Sequence, residues 1–149
     1  MAPRQKWQDD LDRWERSFFD MDLAPIFTEL DPVVSAGFDE NFGNKVDEFG
    51  IPWPPHAPAT VRRYGPHPLL VLSGRMRRAA ITPGDSEHLL NVTRSTAAYG
   101  VSGSVFYARF HHTGTSRIPR RRVIFASAAT VQKMFTLFRA RVIARMPKI

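Results

Sequence analysis

The residues best suited to chemistry in this chain are histidines and arginines beyond residue 100. His111 and His112 are adjacent, and Arg120, Arg121 and Arg122 form a run shortly after them. A histidine pair is typical of a metal ligand or a proton carrier, and an arginine run is typical of contact with phosphate or carboxylate. In the strand that we predict here, neighbouring side chains point to opposite faces, so the two histidines are poorly placed to bind one ion.

The sequence offers no set of residues typical of a catalyst. A hydrolase needs a nucleophile beside a base that an acid orients, but only Asp85 and Glu87 of the 14 acidic residues lie beyond residue 50. Glycine motifs for phosphates or dinucleotides are lacking, and there is no cysteine for a thiolate site or a disulfide. We therefore expect a protein that is not an enzyme and that uses no cofactor and no metal.

Charge is strongly polarised along the chain. Residues 1–50 hold 12 acids and 5 bases, a net charge of −7, whereas residues 51–149 hold 2 acids and 16 bases, a net charge of +14. Such an asymmetry fits a protein that meets nucleic acid. It fits equally well a protein whose acidic part contacts the basic part of a neighbouring copy.

Two helices are predicted in the acidic part. The first begins near Asp9 or Asp10, and its apolar residues recur at helical spacing, which favours packing of that stripe into the core over an exposed docking face; they are Trp7, Leu11, Trp14, Phe18 and Met21. The second begins with Asp31 as the N-cap and Pro32 at the first helical position and ends near Phe42. Its residues Val34, Phe38 and Phe42 share a buried face.

A proline-rich loop separates this part from the rest. Six of the 12 prolines lie between Ile51 and Pro68, and proline lacks the backbone donor that helices and central strands need. Trp53 gives the segment an apolar anchor, so we expect an ordered loop with Trp53 packed on the domain.

The basic part predicts a short helix, three strands and a last helix. The short helix begins near Ser73 and points Leu72, Met76 and Ala79 inward. The strands cover 89–94, 97–101 and 105–111 and form an antiparallel meander, because their connections are short. The last helix has Ser127 as its N-cap and an apolar stripe, made of Val131, Met134, Phe135, Phe138 and Val142.

These elements predict one α+β domain over residues 1–149. N-terminal helices and a C-terminal amphipathic helix pack on a small antiparallel sheet of three or four strands, with a long proline-rich loop between them. The parts are an acidic helical part (1–45), the proline-rich loop (46–68) and a basic α+β core (69–149). No stretch is long and apolar enough to predict a membrane span or a signal peptide.

Several short motifs occur together in a fixed order over residues 38–125. Phe42 comes first, and the later blocks are Gly50-Ile51-Pro52-Trp53-Pro54-Pro55, Ala57-Pro58-Ala59-Thr60-Val61, Leu70 to Arg75, Tyr107-Ala108 with His111, Gly114-Thr115 and Ile118-Pro119-Arg120. This order resembles the tailed-phage virion morphogenesis family, also called tail completion or neck proteins. Ser73 and Met76 replace the family's usual threonine and leucine, and the arginine run replaces its Pro-Ala-Arg-Pro-Phe-Leu block.

The resemblance implies a structural virion protein that forms a six-fold or twelve-fold ring in the neck or at the head-proximal end of the tail. The ring would complete or join head and tail around the DNA channel, beside the connector or stopper and the tail terminator or tail tube. Such a protein assembles in the host cytoplasm and is found in the virion, with no role for a membrane.

The motif residues are then candidates for contact with neighbours. Interface candidates are Trp53, Pro54, Pro55, Tyr107, His111, Gly114, Thr115, Ile118 and Pro119. Candidates for contact with DNA in the lumen or with an acidic partner are Arg117, Arg120, Arg121 and Arg122. The alternative is a free nucleic-acid-binding protein that uses the arginine-rich turn and the last helix without reading sequence.

Overall fold

The computed structural model describes residues 5–148, and residues 1–4 and 149 of the predicted domain lie outside this range. The described elements are, in chain order, α1 (Lys6–Phe19), α2 (Ala24–Asn44), α3 (Pro58–Tyr64), α4 (Arg75–Ile81), β1 (His88–Val92), β2 (Ala97–Val101), α5 (Ala108–Thr113) and α6 (Ala128–Arg145). The α+β class is confirmed. The described sheet has two strands, fewer than the three or four predicted.

Helix α2 is the centre of the fold. It buries an apolar residue at every fourth position, namely Ile26, Leu30, Val34, Phe38 and Phe42. Pro25 occupies its first turn, where no backbone donor is needed. Pro32, predicted as the start of a second helix, lies inside α2 instead. Burial along the whole length of α2 outweighs the one backbone hydrogen bond that Pro32 removes.

The C-terminal half of α2 carries the main apolar cluster. Phe38 and Phe42 pack there with residues from the proline-rich segment, α4, the start of α5 and the segment before α6, namely Trp53, Met76, Ala79, Ala80, Val105, Ala108 and Val123. The predicted burial of Val34, Phe38, Phe42 and Trp53 is confirmed. Elements that are distant in sequence therefore meet beside the end of α2.

Helix α6 packs along α2 at a close crossing. Its predicted N-cap is confirmed, because the Ser127 hydroxyl accepts the Thr130 backbone N–H at 3.2 Å. A Cβ added to Gly37 would lie 2.4 Å from Oγ1 of Thr130, so the two backbones approach closely there. The apolar stripe of α6 was predicted to be buried, but only part of it faces α2. Val142 is buried, whereas Val131 and Phe135 are exposed.

The hairpin of β1 and β2 packs against α2 and α4. The strands are antiparallel, with Leu90 opposite Tyr99, close to the predicted bounds of the first two strands. The phenol of Tyr99 donates to the carbonyl of Phe27 at 2.7 Å. Burial raises the pKa of Tyr99 to about 12.

The third predicted strand, 105–111, is wrong. Val105 and Ala108 are both buried, and this three-residue spacing suits a turn followed by a helix rather than the alternation of a strand. The chain turns at Val105 and forms α5 instead. His111 and His112 therefore lie at the end of a helix.

Three other predicted boundaries also change. The proline-rich loop contains α3, which begins at Pro58, a position where proline costs no hydrogen bond. The helix predicted from Ser73 begins at Arg75, and this leaves Leu72 exposed rather than inward. Helix α1 begins at Lys6 rather than near Asp9 or Asp10.

Helix α1 buries none of its residues, contrary to the prediction that its stripe packs in the core. The link from α1 to α2 is held by the hairpin turn and by the end of α6: Arg94 donates to the Asp20 carbonyl and Arg145 donates to the Asp22 carbonyl. Within residues 5–148, no helix is long and apolar enough to cross a membrane.

Candidate functional site

A cleft of about 470 Å³ lies where the proline-rich segment, the loop before α4 and the chain around α5 meet. We call it the basic cleft. Its lining includes six of the predicted site residues, namely Tyr107, His111, Arg117, Ile118, Pro119 and Arg121. The opposite wall comes from the segment 56–76, which supplies His56, Ala57, Thr60, Tyr64, His67, Leu70, Val71, Leu72, Ser73, Gly74, Arg75 and Met76.

Arg121 fastens the two sides of the basic cleft together. Its side chain donates to the carbonyl oxygens of Pro54 at 2.8 Å and Pro55 at 2.7 Å. Its backbone N–H donates to the carbonyl of His111 at 2.7 Å. Arg121 is only 5 % exposed and forms no ion pair with any residue from 5 to 148. Burial lowers its pKa, because the charged form loses hydration that the two carbonyls only partly replace.

The basic cleft carries positive charge without acidic residues of its own. Among the described residues that line it, none is Asp or Glu. Arg75 is neutralised by Glu87, whose carboxylate lies 2.8 Å from its Nε. That hydrogen bond from Arg75 lowers the pKa of Glu87 to about 2. Arg117 is exposed and forms no ion pair in the described part of the chain, so its charge is available to an anionic ligand.

The histidines at the cleft are mostly fixed by backbone carbonyls. His56 Nε2 lies 3.1 Å from the carbonyl of His67, and His67 Nδ1 lies 2.9 Å from the carbonyl of Gly65. His111 Nδ1 is buried and has no hydrogen-bond partner. Burial, and then the charge of Arg121, lowers the pKa of His111, which favours a neutral ring.

His112 supports the chain behind the cleft. Its Nε2 accepts the backbone N–H of Ile124 at 3.2 Å, which requires a neutral ring. Burial, and then the charges of Arg122 and Arg120, lower the pKa of His112 to about 4. The two adjacent histidines thus have separate surroundings, and His112 has a structural role.

The turn after α5 is shaped by Gly114 and Thr115. Gly114 has φ of 73°, a left-handed conformation that glycine adopts without strain. A Cβ there would lie 3.1 Å from the backbone nitrogen of Arg120. The Thr115 hydroxyl accepts the N–H groups of Arg117 at 3.2 Å and Ile118 at 3.0 Å. Both residues therefore present Arg117, Ile118 and Pro119 to the cleft.

The arginine run divides into separate contacts. Arg120 donates to Glu48 and lies 3.7 Å from Asp47, and Arg122 donates to Glu48 at 3.0 Å. Burial opposes ionisation of Glu48, but a backbone hydrogen bond and these two arginines outweigh it and lower its pKa. Of the four arginines predicted to meet DNA or an acidic partner, only Arg117 keeps its guanidinium clear of the described chain.

The predicted interface residues of the proline-rich segment take different places. Trp53 lies in the core, and its backbone N–H donates to the carbonyl of Lys45 at 2.8 Å. Pro54 and Pro55 are exposed and use their carbonyls to hold Arg121. The segment thus shapes one wall of the basic cleft while its prolines remain accessible to a neighbour.

A second surface lies on α1. Its stripe is open to solvent, with exposures of 58 % for Trp7, 50 % for Leu11, 38 % for Trp14 and 46 % for Phe18. Trp14 and Phe18 stack with ring centroids 6.3 Å apart. We call these four residues the α1 stripe. Exposed aromatic residues in a row are typical of a surface that binds another protein.

Two other groupings could do chemistry, a metal-ligand cluster and the His88–Asp31 pair, and neither gives an accessible site among the described residues. Within residues 5–148, no group of three or more His, Asp or Glu residues is placed to hold a metal ion. His88 is buried with Asp31, its Nε2 lying 2.8 Å from the carboxylate and its Nδ1 lying 2.7 Å from the carbonyl of Ala79. Both ring nitrogens are occupied, so this pair links α2, α4 and β1.

The sequence did not reveal that the segment 56–76 forms a wall of the cleft, and it favoured core packing of the α1 stripe over the alternative of an exposed docking face. His56 and Tyr64 belong to a proline-rich stretch whose helix α3 has no strong apolar period. For α1, a signal was present: an apolar stripe in the acidic part of a chain whose remaining part is basic.

Comparison of the chain with protein-family models, curated proteins and solved structures finds no match. The assignment of a function therefore rests on the residues and on their arrangement in the fold.

Proposed function

We propose that this protein is a structural virion protein of a tailed bacteriophage, without enzymatic activity. It forms an oligomeric ring in the neck or at the head-proximal end of the tail, completes or joins head and tail, and surrounds the DNA channel. One observation carries this proposal: the separate blocks that resemble the tail completion family meet around one cleft. Pro54 and Pro55, Leu70 to Arg75, and Tyr107 to Pro119 all contribute to it.

The arrangement of surfaces also supports self-assembly. Helix α1, in the part of the chain with a net charge of −7, presents an apolar stripe, while the basic cleft belongs to the part with a net charge of +14. Two different complementary surfaces on one chain favour heterologous contacts, in which copies join head to tail and close into a ring.

The partners and the location follow from the proposal. The ring would contact the connector or stopper on one side and the tail terminator or tail tube on the other, with six or twelve copies. It would assemble in the host cytoplasm and remain in the virion. Arg117, whose side chain is exposed and unpaired in the described chain, is the arginine of the turn best placed to approach the DNA backbone.

Mass spectrometry of purified virions tests this proposal. We expect the chain among the structural proteins of the particle, at a copy number that matches a ring. Purified protein should also sediment as more than the 16.9 kDa monomer, alone or with the connector. Absence from virions, together with a monomer at every concentration, would contradict the proposal.

The contacts that the arginines make within the chain argue against the alternative, a free nucleic-acid-binding protein. Arg120 and Arg122 are paired with Glu48, and Arg121 is buried on two carbonyls. Nonspecific binding to DNA depends on several cations that reach phosphates together. The turn supplies one such cation, Arg117, and on the last helix Lys133 pairs with Glu40 and Arg141 with Glu29. We therefore favour the structural role.

A further inference from the structure

We propose that α1 of one copy lies in the basic cleft of the next copy, so that this contact is the repeating joint of the ring. The proposal rests on the ring assembly proposed above and names the two surfaces that form it. Its occupant is a second copy of this chain.

Helix α1 has no partner among residues 5–148 that covers its apolar stripe. It has 14 residues and no buried one, and an isolated helix of that length is marginal in water. An exposed row of two tryptophans, a leucine and a phenylalanine would gain most from contact with an apolar wall. The fold therefore offers a helix whose stability depends on docking.

The charges of α1 are arranged around its stripe. At 100° per residue, Asp10 and Glu15 lie about 70° to either side of the stripe, whereas Lys6, Arg13 and Arg16 lie on the other side of the helix. Asp10 is paired with Arg13, so a surface that receives the α1 stripe meets an acidic group unpaired in the described chain at the edge that carries Glu15. It should be apolar in the middle and basic at its rim.

The basic cleft has these properties. Its walls include exposed or half-buried apolar and aromatic side chains, among them Tyr64, Leu72, Tyr107 and Ile118. Positive charge comes from Arg117 and Arg121, and no described acidic residue lines the cleft. An amphipathic helix in an apolar groove is a common mode of recognition.

Within one copy, the α1 stripe and the basic cleft share no described lining residue and adjoin opposite ends of α2. The link to α1 is fixed at the N-terminal end of α2, near Arg94 and Arg145. The basic cleft adjoins the other end of α2, where Asn41 donates to the carbonyl of Val123 at 2.8 Å. Because α2 has 21 residues, these ends are about 30 Å apart. Each copy can therefore give α1 to one neighbour and receive it from another.

Cross-linking between two single-cysteine variants tests the joint, since the chain has no native cysteine. Leu11→Cys places a thiol on the α1 stripe, and Leu72→Cys places one at the cleft. After mixing the two full-length proteins with a short bis-maleimide, we expect a product of twice the 16.9 kDa monomer mass that joins both variants. The matched control is Ile143→Cys, an exposed apolar position on α6.

Three results would overturn the joint. A link from Leu11→Cys to Ile143→Cys in place of Leu72→Cys would put α1 on α6. A product from Leu11→Cys alone would indicate pairing of two α1 helices. Absence of a product with Leu72→Cys would show that α1 does not reach the cleft.

Substitution of the stripe provides an independent readout. Trp14→Asp should weaken self-association on the order of 10-fold or more, because aromatic residues dominate contacts of this kind. Phe135→Asp, an exposed control on α6, should leave association unchanged, and circular dichroism should report a folded chain for both. Equal effects of the two substitutions would argue against the joint.

The outcomes separate this joint from the proposed function. Virions that contain the chain but give no link at Leu72→Cys refute the joint and leave the structural role in place. A link at Leu72→Cys in a protein absent from virions refutes the phage role and leaves the joint in place.

Discussion

Arg121 is the residue on which the shape of the basic cleft depends most directly. Arg121→Ala removes two hydrogen bonds from a charged group to the carbonyls of Pro54 and Pro55 and leaves a void beside them. We expect a loss of about 2–3 kcal/mol, or roughly 5–10 °C in Tm, measured by thermal denaturation.

Arg117→Ala is the matched control for Arg121. This substitution removes an arginine from the same turn, but the Arg117 side chain is exposed and unpaired among residues 5–148. Its stability should stay within about 0.5 kcal/mol of the parent. Equal losses for the two variants would show that Arg121 does not fasten the cleft.

The lowered pKa of His112 predicts that the folded chain loses stability in acid. Its pKa is about 4 in the fold, below the ordinary value of 6.5, so the unfolded chain binds the proton more tightly. Stability from this group is present above pH 6.5 and is lost as the pH falls toward 4. Denaturation curves of His112→Gln, which keeps an acceptor for Ile124, should show a weaker decline over this range than those of the parent. Parallel declines would be inconsistent with a neutral, buried His112.

At the residue scale, the sequence indicated which residues cluster but not how each is used. Tyr107 and His111 from the motif blocks and Arg117 from the basic set line one cleft, and their predicted role as interface residues stays a prediction. The arginine run was treated as one patch, because Glu48 lies 72 residues before Arg120 and no local pattern reveals that they meet. Long-range pairs of this kind depend on the finished fold.

At the scale of elements, the close packing of α6 on α2 can be tested at Gly37, where the two helices cross. Gly37→Ala places a methyl group 2.4 Å from Thr130 Oγ1, so the helices must separate or the side chain must rotate. We expect a loss of about 1–3 kcal/mol in chemical denaturation. Gly43→Ala in the same helix meets nothing within 4 Å and should be neutral or stabilising. A stable Gly37→Ala variant would be contrary to the close packing described.

Elements with a regular apolar face were predicted more accurately than elements whose local sequence pattern is weak. The face of α2 and the start of α6 followed from apolar spacing and from Ser127. Pro32 misled the prediction because proline usually marks a helix start, and here tertiary burial overrides that preference. The period of α1 was correct, but a period cannot tell whether a stripe is covered by its own chain or by another.

At the scale of the whole molecule, the split of charge predicts an assembly that weakens in salt. The charges of Glu15 and Arg117 are exposed and therefore screened by ions. Raising NaCl from about 0.05 to 0.5 M should raise the dissociation constant of self-association on the order of 10-fold, measured by sedimentation. Arg117→Gln should reduce this dependence. A dissociation constant that does not change with salt would contradict a joint that includes Glu15 and Arg117.

A cryo-electron microscopy average of the virion neck tests the central claim most directly. We expect a closed ring of six or twelve copies around the channel, with α1 of each copy seated against the next. A neck in which no density fits this chain, in particles whose other neck proteins are resolved, would contradict it.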